Sequence, residues 1–289
     1  MRSAGRFPLY GLFGAAVVVA AELLLVAGSP LVGRWFTPIV WTGYVVFMDA
    51  VVRYITGRSY LTTDRLEGVL AALASVGGWW LFELYNTPRF WRGGADLVGV
   101  WWQYHNLEPN PLLRRVGYDW SFATIFPALF LTAAALRATV FRSARVRPWR
   151  PSSGLLRAAV AVGAVGVILP LAVVSPWLVP LVWMGWVLLL EPLNYRSGRP
   201  SWLADLAAGD ASRVTALLAS GLVCGVLWEF WNYWALTKWT YTVPYPPGAK
   251  LFEMPVLGYL GFLPFALECF AMYHGLRGLL GERARTPVL

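Results

Sequence analysis

The chain has 289 residues, of which 58% are hydrophobic and only 13% charged. Soluble domains carry about 25% charged residues, so a surface this poor in charge excludes a water-soluble monomer. The formal net charge of +9 would suggest a nucleic-acid partner in a soluble protein, but here the basic residues fall between long apolar blocks and orient a membrane protein, and no nucleic-acid partner is expected.

Eight blocks of roughly 17–25 predominantly apolar residues, long enough to cross the hydrocarbon core, are predicted. In chain order they are Leu9–Ser29, Thr37–Ile55, Gly68–Tyr85, Trp120–Ala138, Leu156–Val174, Trp177–Tyr195, Val214–Leu236 and Leu257–Leu276. Arg2 and Arg6 precede the first block, but its apolar stretch is long and no cleavage site follows, so it reads as a retained helix. The expected fold is an all-α integral membrane protein of about eight transmembrane helices. With the N-terminus inside, seventeen of the 24 Lys and Arg residues fall on cytoplasmic segments, led by Arg137, Arg142, Arg145, Arg147, Arg150 and Arg157. Both termini are therefore predicted cytoplasmic, in a plasma (inner) membrane. Cys224 and Cys269 lie inside apolar blocks, and His105 and His274 are the only histidines. No disulfide framework, metal site or cofactor is expected.

The second to fourth blocks resemble the sixth to eighth. Trp41-Thr42-Gly43 matches Trp183-Met184-Gly185, and an acid follows six residues after each glycine, Asp49 and Glu191. Phe82-Glu83-Leu84-Tyr85-Asn86 matches Trp228-Glu229-Phe230-Trp231-Asn232. Trp102-Gln103-Tyr104 then matches Trp239-Thr240-Tyr241, and Pro127 matches Pro264. This order predicts two tandem four-helix repeats of the same orientation, residues 1–140 and 156–289, joined by a basic cytoplasmic linker over 141–155.

Intramembrane carboxylates cost roughly 2.5–3.5 kcal/mol on insertion scales and mark candidate sites. Glu83 and Glu229 each precede an asparagine by three residues, which puts acid and amide on one helical face. By symmetry the two faces could meet as a shared acid site, or each Glu could simply hold the bundle together. Asp49 and Glu191 are expected to pair with Arg53, Arg196 or Arg199. Glu268 stands where the first copy has Leu131.

The chain holds 17 tryptophans. Trp79, Trp80, Trp101, Trp102, Trp177, Trp234 and Trp239 read as an interfacial belt, whereas Trp228 and Trp231 flank Glu229 and turn partly inward. The loops Asn86–Asp119 and Thr237–Val256, with Trp91, His105, Tyr245, Pro246 and Pro247 among their residues, are expected to fold onto the interface as caps over a lateral cavity. An acid among aromatic faces can protonate an alkene and steer the resulting cation; the same set suits passive lipid or isoprenoid binding.

Trp228-Glu229, then Trp239-Thr240-Tyr241, then Pro255 and the aromatic last block resemble the small membrane-embedded lycopene cyclase domain, the heterodimer type of carotenoid synthesis. That family carries Pro-x-acid-acid at the start of its last helix. Here the stretch is Pro255-Val256-Leu257-Gly258 and both acids are missing, so only Glu229 transfers. The resemblance implies the fold and an isoprenoid-like ligand. The expectation is a terpene- or lycopene-cyclase-like enzyme, with Glu229, Glu83 and Glu268 as catalytic candidates. Trp228, Trp231, Asn232, Tyr85, Asn86, Trp239 and Tyr241 are the substrate-binding candidates. The rival readings are a lipid-binding scaffold, a small transporter, or a subunit of a homo-oligomer or of a complex with another membrane protein.

Overall fold

The structure is a computed structural model and describes residues 6–88, 99–244 and 249–281. Trp91 and Tyr245 to Pro247, expected among the cap residues, lie outside the described residues. Among those residues eight helices are long and apolar enough to cross a membrane, and the chain is a multi-pass helical membrane protein.

Helix α1 spans Leu9–Val26 and α2 spans Pro30–Thr56. Ser29 caps α2 by accepting from Val32 N, Pro30 fills a first-turn position, and Gly57 ends the helix at φ 78°, a left-handed conformation that glycine adopts without a Cβ clash. Near its start α2 leaves helical geometry at Trp35 (φ −103°, ψ 15°), three residues before Pro38. Pro38 has no N–H to give to the Arg34 carbonyl, and its ring crowds that turn. Helix α3 spans Arg65–Asn86, and the fourth span, Pro111–Ala138, breaks at Thr124 into α4 (Pro111–Ala123) and α5 (Ile125–Ala138). Nearly all of α5 is buried, and it forms the centre of the body.

Helix α6 spans Ser153–Ala172, a short turn at Pro176–Leu178 leads into α7 (Val179–Arg196), and α8 (Trp202–Ala207) is a short connector. Helix α9 spans Ser212–Trp234 and α10 spans Phe262–Leu279, entered through a 3-10 turn at Val256–Gly261. The α2 and fourth spans begin seven and nine residues before their expected starts, because Arg34 and Arg114 with Arg115 occupy their first two turns and mask them in an apolar count. Most of the expected loop after Pro111 is therefore helix.

Two hairpins are packed through glycine. A Cβ on Gly14 of α1 would stand 2.7 Å from Gly43 O and 2.6 Å from Phe47 N of α2. A Cβ on Gly163 of α6 would stand 2.8 Å from Gly185 O of α7. Only a bare Cα lets the backbones approach so closely, as in small-residue packing between membrane helices.

The all-α expectation misses a small sheet. Strand β1 (Trp102–His105) pairs antiparallel with β2 (Lys238–Tyr241), with Trp102 opposite Tyr241 and Tyr104 opposite Trp239. A second pair joins β3 (Lys250–Leu251) to β4 (Met254–Pro255). The β1–β2 pair ties the connection after α3 to the connection after α9, on the face where α2 and α4 begin.

Asp49 and Glu191 depart from their expected arginine partners. Asp49 accepts from Tyr10 OH (2.9 Å) and Leu61 N (3.1 Å), and Glu191 accepts from Ser201 Oγ (2.5 Å) and Leu203 N (3.0 Å). Each acid holds the loop that follows its helix by supplying that loop's buried donors with an acceptor. Arg53 instead donates to the Gly57 carbonyl, and Arg199 to Asn194 and the Gly275 carbonyl.

Candidate functional site: an aromatic chamber

A chamber of about 480 Å³ lies between the two halves of the chain, within the roughly 300–1,000 Å³ of small-molecule sites. Its walls come from the start of α2, from α3 and α4, from the start of α7, from α9, and from the turn and first residues of α10. Trp41, Trp79, Trp102, Trp183, Trp228 and Trp239 line it, with Tyr104, Tyr241 and Phe265. The rings touch one another: Trp79 and Trp228 are 5.1 Å apart between centroids, Trp228 and Trp239 5.3 Å, and Trp183 and Phe265 5.3 Å.

This arrangement corrects the belt assignment. Trp79, Trp101, Trp102 and Trp239 are buried, at 8%, 2%, 5% and 9% exposure, whereas Trp177 and Trp234 are exposed. Trp80 carries the Arg115 guanidinium over its ring at 4.1 Å and donates to Asp119.

The two Glu-x-x-Asn faces are built alike. Asn86 ends α3 and uses its side-chain amide as a strand partner: Oδ1 accepts from Trp101 N (3.0 Å) and Trp102 N (3.2 Å), and Nδ2 donates to Trp102 O (3.0 Å). Asn232 does the same to Trp239, at 2.9 Å and 2.8 Å. Each asparagine thus fixes the start of a strand, and the strand's tyrosine then reaches back to the glutamate one helical turn earlier. Tyr104 OH donates to Glu83 Oε1 (2.5 Å) and Tyr241 OH to Glu229 Oε1 (2.5 Å).

The carboxylates themselves stand behind the wall. Glu83, Glu229 and Glu268 are buried and do not line the chamber; Tyr104, Tyr241 and the tryptophans do. Where the two faces meet, it is Trp79 and Trp228 that touch. The two acids also differ in their surroundings. Three donors, from Trp79, Trp102 and Tyr104, converge on one oxygen of Glu83. Glu229 accepts from Tyr241 alone, and its buried Oε2 has no hydrogen-bond partner among the described residues. Burial first, and then the adjacent carboxylate charge, pushes both the Tyr104 and the Tyr241 hydroxyl well above the usual tyrosine value, so both keep their protons at neutral pH. Trp239 Nε1 donates to the Tyr241 oxygen (2.9 Å) and orients it.

The remaining expected residues are placed as follows. Trp228 lines the chamber, but Trp231 turns away from it, packs edge-on against Trp41 at 4.9 Å, and donates to Glu22 of α1. Tyr85 is buried and donates to the Val167 carbonyl of α6. Glu268 is fully buried in α10, and neither of its oxygens has a partner among the described residues. Tyr104, Trp79, Trp102 and Trp183 are site residues that the sequence reading left out. The matched pair Trp102-Gln103-Tyr104 and Trp239-Thr240-Tyr241 was the signal that pointed to Tyr104. No group of three or more metal-ligating side chains occurs among the described residues.

Fold and site together define a multi-pass helical membrane protein with an aromatic chamber between its halves. No protein-family model, curated protein or solved structure matches the chain.

Proposed function

We propose that the chamber takes an elongated isoprenoid-type ligand by its apolar chain and that the Tyr241–Glu229 pair delivers a proton to it, as in an isomerising cyclase. The supporting observation is a tyrosine of a wall rich in aromatic rings, its hydroxyl bonded at 2.5 Å to a glutamate whose other oxygen has no partner among the described residues. In this reading Tyr241 gives its proton to an alkene carbon and takes one from the Glu229 carboxylic acid. The cation so formed faces the Trp79 and Trp228 rings, which stabilise positive charge. It closes a ring and returns a proton through Tyr241 to Glu229, so the reaction is an isomerisation with no net change in atoms. Glu229 is then the proton reservoir, acting through Tyr241.

The test is turnover of a linear polyene, lycopene first, in heavy water. Wild type is expected to place deuterium in the product, with Glu229→Gln and Tyr241→Phe about 10²–10⁴-fold slower, the range for general acid catalysis. Undiminished incorporation in both variants would overturn the assignment. A specific observation favours the second reading, a non-enzymatic lipid- or isoprenoid-binding protein: among the described residues Glu108 is the one carboxylate that lines the chamber. Ligand retention by wild type without deuterium incorporation would select it.

We also read the chain as a tandem duplication with both copies in one orientation. The support is threefold: the equivalent glycine contacts of Gly14 and Gly163, the equivalent loop contacts of Asp49 and Glu191, and the equivalent Tyr–Glu–Asn sets.

A further inference from the structure

The chamber is lopsided in charge. Among the described residues three charged ones line it, Arg34, Glu108 and Arg114, and all three lie by the starts of α2 and α4. The lining residues from the start of α7 and the turn before α10 are apolar: Val179, Pro180, Met184, Leu257 and Leu260. Position matters as much as charge. Arg34 lies in the second turn of α2 and Arg114 in the first turn of α4, at the depth where a spanning helix meets the head-group layer.

The two guanidinium groups flank Glu108. Arg34 Nη1 pairs with Glu108 Oε2 at 3.1 Å, and Arg114 Nη1 donates to the Glu108 main-chain carbonyl at 3.4 Å. Glu108 thus neutralises Arg34, while Arg114 makes no ion pair among the described residues and is half-buried. A half-buried cation at the mouth of an apolar chamber gains most from an anion that comes attached to an apolar chain. The chain loses water contact in the chamber, and the head group supplies the charge-assisted hydrogen bonds that arginine forms with phosphate. The ends of α2 and α4 that carry these arginines are helix N-termini, which add their partial positive charge.

We propose that the Arg34–Arg114 end of the chamber binds a phosphate-bearing head group, so that the ligand is an anionic amphiphile whose apolar chain lies against the aromatic walls around Trp79 and Trp228. The proposal rests on the chamber being the ligand site, and it names the ligand's class and orientation. An isoprenyl phosphate and a bilayer phospholipid share this chemistry.

The experiment is equilibrium binding to the full chain in dodecyl maltoside, read by native mass spectrometry, with geranylgeranyl monophosphate, geranylgeraniol and oleate as probes. The monophosphate is expected to bind about tenfold or more tighter than the alcohol, the worth of one charge-assisted bond, and tighter than oleate. Arg114→Gln is expected to bring the monophosphate down to the alcohol while leaving the alcohol's own affinity unchanged. Arg34→Gln, which leaves Glu108 unpaired, is expected to weaken the monophosphate further. High salt should shrink the advantage in wild type, a readout that needs no variant. Equal binding of monophosphate and alcohol overturns the head-group site and leaves the chamber reading intact, whereas failure of wild type to bind any probe removes the chamber reading and this proposal together. Oleate binding as tightly as the monophosphate overturns phosphate recognition. Displacement of the monophosphate by phosphatidic acid identifies bilayer phospholipid as the source, and resistance to displacement identifies an isoprenyl phosphate; both outcomes support the shared chemistry.

Discussion

Asn86 and Asn232 show how much of the site one amide can set. Each gives a buried strand the donor and acceptor that a neighbouring strand would otherwise supply, and each thereby decides where a tyrosine hydroxyl lands. Replacement by alanine leaves buried main-chain groups unpaired, at about 1–3 kcal/mol for each group. Asn86→Ala and Asn232→Ala are therefore expected to lower the Tm of the detergent-solubilised protein and to loosen Tyr104 or Tyr241 from its glutamate. A Tm equal to wild type in both variants would show that the strands hold their places without the amide. The neighbouring acids divide the work differently. Glu83, with three donors on one oxygen, is tied into the wall, whereas Glu229 has one donor and a bare oxygen.

At the scale of the element, the hairpins α1–α2 and α6–α7 depend on bare Cα atoms at their crossing points. Gly163→Leu is expected to force α6 off α7 and to destabilise the protein by several kcal/mol through overpacking. Gly77, in the exposed middle of α3, meets nothing within 4 Å of a built Cβ. Gly77→Ala is expected to stabilise α3 by about 0.5–1 kcal/mol, since alanine is the better helix former. Thermal melts of the two variants side by side check both signs, and a Gly163→Leu protein as stable as wild type would sink the close-packing account. Helix existence was legible because apolar blocks of spanning length leave little choice in a membrane. The starts of α2 and α4 were not, because their arginines face the chamber mouth while an apolar count treats them as loop. The burial of Trp79, Trp101, Trp102 and Trp239 was not legible either. It follows from strand pairing between segments such as His105 and Thr240, which lie 135 residues apart, and a tryptophan reads the same in a belt and in a chamber wall.

For the molecule as a whole, the halves are joined by several sets of contacts. Helix α5 packs against α9 at the centre, β1 pairs with β2 at one face, Tyr85 of α3 bonds to Val167 of α6 and Trp231 of α9 to Glu22 of α1, and Val146 and Trp149 bond to Gly209 and Leu206 around the end of α8. The covalent link between α5 and α6 is only one connection among these. Fragments 1–150 and 151–289, expressed together, are expected to co-purify through a tag on either one. Separate elution of the two would mean that the linker, and not the buried contacts, holds the halves together. The order of the matched motifs suggested a two-part organisation, and the Glu-x-x-Asn pairs lie next to the strands whose residues line the chamber. The chamber itself needed the three-dimensional pairing, because its walls alternate between residues of the first half and the second.

Six of the tryptophans that line the chamber form one unbroken chain of ring contacts, from Trp183 through Trp102, Trp79 and Trp228 to Trp239, with Trp41 joined to Trp228. Indole rings this close exchange excitation faster than they emit it, so light absorbed by any one of them is pooled across the set. A conjugated guest lying against a single ring would therefore darken the emission of all six. The protein carries its own optical gauge of whether the chamber is filled, without an added label.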